Sequence, residues 1–227
     1  MRFTHIYVEE RAFGYLLTEQ ILAKIPDAHV IKIKHYKDVF DRKRQNAPLQ
    51  KEHQALIIAV RDGSRIFKGA PVCQSFGNKN FYYASSMMNC PFDCEYCYLK
   101  GMYPSSNMVV FVNLEDYRAD VEEKLREGPM YVCASYDTDL LAMNSLTGHA
   151  DFWKETALEH EDLLVELRTK AAVDVKDNIP NVIYAFTLSP EEVVTDLERY
   201  TAPLSARISA AAKALEAGAK SGFVSTP

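Results

Sequence analysis

Three cysteines crowd one short stretch, Cys90-Pro-Phe-Asp-Cys94-Glu-Tyr-Cys97, in a chain with five cysteines altogether. At CxxxCxxC spacing, three thiolates can converge on one metal centre without help from distant segments. A [4Fe–4S] cubane usually takes four thiolates, one per iron. Held by three, it keeps one iron open, and an open coordination position serves chemistry rather than structure alone. Two blander accounts stand beside this one. A structural zinc site could recruit Cys73 as fourth ligand, although zinc ribbons more often pair two CxxC knuckles and only one is present. Alternatively, the three thiols are unrelated and buried.

Composition narrows the setting. The 227 residues suffice for one large domain, or a small domain plus a medium one. No run approaches the roughly 18 apolar residues of a membrane span, and residues 1–10 lack the apolar core of a signal peptide. A cytoplasmic protein is therefore expected, with no membrane partner. An odd cysteine count, with three clustered, favours metal or redox use over a disulfide framework. The net charge of −5 advertises no general affinity for nucleic acid. Any phosphate contact needs a local basic patch, for which Lys32, Lys34, Lys37, Arg42, Lys43 and Arg44 are candidates; a solvated helix or loop is the bland account of the same residues.

The elements that must position the cysteines read as α/β. Residues 4–8, 29–34 and 55–60 suggest strands, the last a continuous apolar run suited to burial on both faces, with a helix over 14–25. These make a small N-terminal α/β domain, 1–70. Beyond it, residues 81–85, 108–112, 131–135, 163–169, 181–187 and 221–225 read as strands. Helices are expected from Asn113, in a capping-box-like pattern with Asp116, to about Arg126; over 151–159; and over 203–217, closed by Gly218. Ser189-Pro190-Glu191-Glu192 is a strong helix start with Ser189 as cap, and a short helical turn is expected at 171–176. Alternating strands and helices imply a parallel sheet with right-handed crossovers. About five main strands are too few for a closed eight-stranded barrel. The second domain, 71–227, is therefore expected to be a partial barrel. A last parallel strand left at an open edge suggests that a further strand is missing. The cysteine loop follows a strand, which places it at the carboxyl edge of the sheet, where α/β active sites form.

With Tyr96 as the aromatic residue, CxxxCx(aromatic)C resembles the radical SAM superfamily. The stretch from Asn89 to Leu99, residues 110–114, Asp139, Arg168-Thr-Lys170, Ser189 and residues 217–224 are similar to the spore photoproduct lyase family. The resemblance implies a partial (β/α)6-type radical SAM barrel after the small N-terminal domain. Its cofactors would be a [4Fe–4S] cluster on Cys90, Cys94 and Cys97, and S-adenosylmethionine. The implied activity is reductive cleavage of that cofactor to a 5′-deoxyadenosyl radical, which reverses an ultraviolet-induced thymine–thymine adduct in DNA. Damaged DNA and an electron donor such as ferredoxin or flavodoxin would be the partners of a monomer, in the spore core.

By the same resemblance, Tyr96 and Tyr98 match tyrosines in hydrogen transfer, with packing around the cluster as their bland reading. Tyr98, Thr138, Asp139, Lys170 and Ser189 match cofactor contacts. A helix cap also accounts for Asp139 and Ser189, and a surface position for Lys170. Arg207 aligns too, though an exposed helical arginine is the simpler expectation. Tyr136 stands where the family's hydrogen-donor cysteine falls. Cys133 is close in sequence, but an odd offset along a strand turns it to the other face. A radical SAM enzyme of the same fold with another substrate, or a non-catalytic cluster- or zinc-binding module, are the alternatives.

Overall fold

A computed structural model describes residues 3–71, 73 and 75–224 of the chain. The apolar runs become short strands, most of them paired in parallel. In chain order these are β1 (His5–Glu9), β2 (His29–Ile33), β3 (Leu56–Ala59), β4 (Ile66–Lys68), β5 (Phe81–Ala84), β6 (Met87–Met88) and β7 (Asp93–Cys94). There follow β8 (Met108–Phe111), β9 (Met130–Cys133), β10 (Leu163–Thr169), β11 (Val182–Thr187), β12 (Glu198–Arg199) and β13 (Ser221–Val224).

One sheet runs β2-β1-β3-β8-β6 and a second runs β13-β11-β10-β9-β5-β4, while β7 and β12 form a separate ribbon. From β13 to β5 every neighbouring pair is parallel, the order expected for a partial barrel. The chain passes from the second sheet to the first at the buried residues Ser85 and Ser86, between β5 and β6. A single apolar core serves both sheets, from Ile6 and Ile58 to Val165 and Phe186.

Sheet membership does not follow the expected division near residue 70. β4 lies before it yet pairs antiparallel with β5 of the second sheet. β8 lies after it yet pairs with β3, and β6 follows on β8. Every residue of β8 is buried, which suits an interior strand, and β8 lies between the equally buried β3 and β6 in the first sheet.

Local signals failed where long-range partners outbid them. Residues 171–176 contain no helical turn; Val175 and Ile179 are buried from a segment without regular structure. The Leu114–Leu125 helix has Asn113 at its N-cap, but without a side-chain cap bond. The Asn113 amide exchanges hydrogen bonds with the Arg61 backbone, at 2.8 and 3.0 Å, and so ties the ends of β3 and β8 together. The Glu191–Leu197 helix starts after Pro190, again with no side-chain cap.

A helix at Leu140–Thr147 was not anticipated, and the next one begins at His149 rather than 151. Gly148 separates them at φ +69°, a left-handed turn that favours glycine. The last strand is described from Ser221 to Val224; the expected Ser225 lies outside the described residues. Among these residues no helix is long and apolar enough to cross a membrane.

Candidate active site

The cysteine loop is held by protein contacts on each side. Asn89 adopts φ +65°, and its side-chain amide donates to the Ser105 and Asn107 carbonyls, each at 2.7 Å. Lys51 Nζ donates to the Cys90 carbonyl at 2.6 Å. Further along, β7 pairs antiparallel with β12, which sets Cys94 opposite Glu198. The Cys97 N–H donates to the Cys94 carbonyl at 3.2 Å, and the Leu99–Met102 turn follows.

The three cysteines line a cavity of about 420 Å³. Ser135, Thr169, Thr187 and Val224, at the carboxyl ends of β9, β10, β11 and β13, line it too. That is the edge where the strand directions of an α/β sheet place active sites. Cys73, Tyr96, Tyr98, Tyr136, Thr138, Asp139 and Lys170 complete the wall. Of the residues expected from the sequence, Ser189 and Arg207 do not line the cavity. Ser189 stands one layer behind, with Oγ donating to Glu198 Oε1 at 2.7 Å.

Glu198 was missed by sequence reasoning, yet it ties this wall together. Its carboxylate accepts the Tyr96 hydroxyl, Ser189 Oγ and, at 2.6 Å, Arg207 Nη2, and it faces Lys170 Nζ at 3.8 Å. Burial would raise the Glu198 pKa, but the hydrogen bonds from Tyr96, Ser189 and Arg207 pull it below the usual value. Arg207 corrects an expectation: it is fully buried, not exposed. Its guanidinium is spent on Glu198, Thr201 Oγ1 and the carbonyls of Thr187 and Ala202. An arginine can be buried when every donor is answered and its charge is paired.

Lys170 also departs from a surface position. Its side chain is 17% exposed, and Nζ lies 5.4 Å from the centre of the Tyr96 ring. Burial alone would lower its pKa; Cys94, Tyr96 and Glu198 outweigh that and raise it. Lys170 is thus a held cation on the cavity wall beside Cys94. Asp139 caps the Leu140–Thr147 helix through the Ala142 N–H at 2.9 Å. Its carboxylate also accepts the Thr169 hydroxyl and the Lys170 N–H, so it pins the end of β10. Burial raises its pKa, against those bonds.

The tyrosines form a contiguous patch. Tyr98 Oη donates to the Tyr136 carbonyl at 2.7 Å, and the two rings are 5.8 Å apart. Tyr136 stacks on Tyr83 at 4.4 Å. Cys133 is buried away from the cavity, its sulfur donating to Glu166, in line with the opposite-face expectation.

Two features bear on what the cavity can hold. Ser135 Oγ and Thr138 Oγ1 are buried there without a protein hydrogen-bond partner, which leaves polar groups for a bound molecule to satisfy. Among the described residues, no three His, Cys, Asp or Glu side chains converge as ligands of a single ion do. Ligands of a cluster need not converge so closely, because each thiolate meets its own iron. The donor set of Cys90, Cys94 and Cys97, three thiolates on one loop, is of the kind that an iron–sulfur cluster takes.

Comparison with known proteins places the chain among its relatives. A family model described as spore photoproduct lyase matches residues 2–227. The chain is 25% identical over 246 aligned positions to the spore photoproduct lyase of Bacillus subtilis (strain 168), covering 98% of the chain but 66% of that relative. A solved spore photoproduct lyase complexed with dinucleoside spore photoproduct superposes with a TM-score of 0.85 at 20% identity, covering 99% of this chain and 68% of the other. A double mutant with bound AdoMet and dinucleoside spore photoproduct gives a TM-score of 0.84 at 21% identity, with 99% and 68% coverage. The fold is therefore that of those structures.

Proposed function

The chain belongs to the spore photoproduct lyase family, and from that premise we propose that it is a radical SAM carbon–carbon lyase acting on the thymine–thymine adduct that its relatives are named for. One observation carries the reading: three cysteines, one held lysine, two partnerless hydroxyls and a tyrosine patch share a single cavity at the carboxyl edge of the parallel strands.

Cys90, Cys94 and Cys97 would hold a [4Fe–4S] cluster. Together with S-adenosylmethionine, a cluster held there would supply one-electron, radical chemistry when reduced by an external donor such as ferredoxin or flavodoxin. The chain's own residues bind and orient. Lys170 offers its ammonium to the cofactor carboxylate, a charge-assisted contact, and Ser135 and Thr138 offer free hydroxyls. Tyr98 borders the same space. Asp139 and Ser189 act one step back: Asp139 fixes the backbone of Lys170, and Ser189 fixes Glu198, which in turn orients Tyr96 and Lys170. Tyr96, Tyr98 and Tyr136 border the same cavity, and the reading assigns them to hydrogen-atom transfer. The acidic chain would meet DNA through local contacts, at the adduct itself and at exposed basic residues such as Lys34, Arg42 and Lys43. The enzyme is read as a cytoplasmic monomer, and the spore core is its expected compartment.

The test is direct. Anaerobically reconstituted protein is given dithionite, S-adenosylmethionine and the dinucleoside adduct. Formation of both 5′-deoxyadenosine and thymine is expected. 5′-Deoxyadenosine without thymine points to another substrate, a reading that Tyr136 in the donor position keeps open. Zinc in place of a reducible cluster ends the enzyme reading.

A further inference from the structure

A second cation on the cavity wall has no role in this account. Arg168 lines the cavity together with Thr169 and Lys170. Residues two apart on a strand share a face, so Glu166, Arg168 and Lys170 point the same way, with Arg168 roughly 6–7 Å back from Lys170 along β10. Its guanidinium is anchored from one side. Nε and Nη2 each lie 2.7 Å from Glu166 Oε1. Glu166 is fully buried and also accepts from Tyr131 Oη and Cys133 Sγ. Among the described residues, Nη1 has no hydrogen-bond partner, and the Arg168 side chain is 27% exposed where it borders the cavity. One edge of the fork is spent, and the other is on offer.

The chemistry of that edge narrows what it can hold. Arginine keeps its charge at any pH a protein meets, but Glu166 offsets that charge at contact distance. What remains is a pair of N–H donors rather than a net positive field. Lys170 is the other cation among the described residues that line the cavity, and it is committed to the cofactor carboxylate. A phosphate, which calls for an uncompensated cation, is poorly served here. A neutral acceptor is well served, because a charged donor makes a stronger hydrogen bond than a neutral one. A pyrimidine ring carries two carbonyl acceptors. Tyr98, Tyr136 and Val224 line the same cavity and supply the flat and apolar surface on which such a ring packs.

We infer that Arg168 recognises the adduct through Nη1, which donates to a ring carbonyl of a pyrimidine, while Glu166 positions the guanidinium from its other edge. This rests on the lesion reading above and supplies a substrate contact that the reading leaves open. Arg168 is then a specificity residue: it binds and orients the base and takes no part in making or breaking bonds. A base without a carbonyl at that place leaves a charged donor unanswered, and is rejected for that reason. Lysine is no substitute, since a single ammonium lacks the two-edged fork that serves Glu166 and the base together.

The experiment measures binding without turnover. Reconstituted protein with S-adenosylmethionine and no reductant is titrated with the dinucleoside adduct, which has no phosphate, in equilibrium dialysis. Arg168→Met combined with Glu166→Gln leaves no stranded charge and should raise the adduct's dissociation constant at least about tenfold. Arg168→Lys keeps a cation for Glu166 and should raise it at least about fivefold. In both variants the cluster's visible absorption and the dissociation constant for S-adenosylmethionine, measured without adduct, should be retained. An unchanged adduct constant in both variants overturns the assignment, and so does an equal loss of cofactor binding, which marks a merely structural role. The dinucleotide adduct, with its phosphodiester, should show the same loss; a loss confined to it overturns the carbonyl assignment in favour of phosphate. Replacing one ring carbonyl oxygen by sulfur, a weaker acceptor, should weaken binding to the unaltered protein at one of the two positions and not to the double variant. No effect at either position also overturns the assignment. Absence of adduct binding to the unaltered protein overturns the lesion reading as well, so the two failures are told apart.

Discussion

Glu198 and Arg207 together decide how the site's side chains stand. Neither is exposed, and the pair joins β12 to Tyr96, Ser189 and Lys170. Removing one member leaves the other charged and buried without its partner, which costs about 3–5 kcal/mol. Arg207→Met should therefore lower the unfolding free energy by about that much in urea titration, and adding Glu198→Gln should return part of it. Lys170→Met removes one charge-assisted contact worth about 1.5–3 kcal/mol. Its dissociation constant for S-adenosylmethionine should rise at least about tenfold in equilibrium dialysis of the reconstituted protein, with the cluster's visible absorption retained.

Between the Leu140–Thr147 and His149–Glu159 helices a single glycine makes the turn. At φ +69° an L side chain is disfavoured by about 1–2 kcal/mol, so Gly148→Ala should lower the thermal midpoint by several degrees. His149 opens the second helix and is fully buried, with its ring nitrogens 3.0 and 3.1 Å from the carbonyls of Phe111 and Thr147. Burial depresses its pKa below the ordinary value, against those carbonyls. A cation there would also oppose the helix N-terminus. Because the folded pKa lies below the unfolded one, His149 contributes full stability above about pH 6.5 and loses it on acidification. The slope is up to about 1.4 kcal/mol per pH unit. Thermal midpoints at pH 7.5 and 5.5 should differ, and His149→Gln should narrow the gap; an equal gap in both proteins refutes the assignment.

At the scale of the molecule, the two sheets exchange strands, and a single core binds them. Residues 71–227 expressed alone would carry β8 without β3. That leaves the apolar Met108–Phe111 strand unpaired on one edge, a template for aggregation. Such a fragment should bind a hydrophobic dye and lack a cooperative melting transition. A sharp melt would mean that the division near residue 70 marks independent folding units after all. The same exchange places Lys51 and Gln54, from the first 70 residues, on the Cys90 carbonyl, so the N-terminal segment supports the site directly.

The cysteine trio and the order of the five parallel strands were legible in the amino-acid sequence, because each depends on neighbours along the chain. Thiols at CxxxCxxC spacing are neighbours in any fold, and long apolar runs separated by helices pair in parallel. Glu198, the burial of Arg207 and the contact between Cys73 and Tyr136 were not legible. Glu198 is one of 31 acidic residues, and its partner Tyr96 is 102 positions away. Only the ribbon of β7 and β12, two residues per strand, brings them together. Only the tertiary structure determined which polar groups lost water and had to find one another, since burial is a property of the packed chain and not of any segment of it.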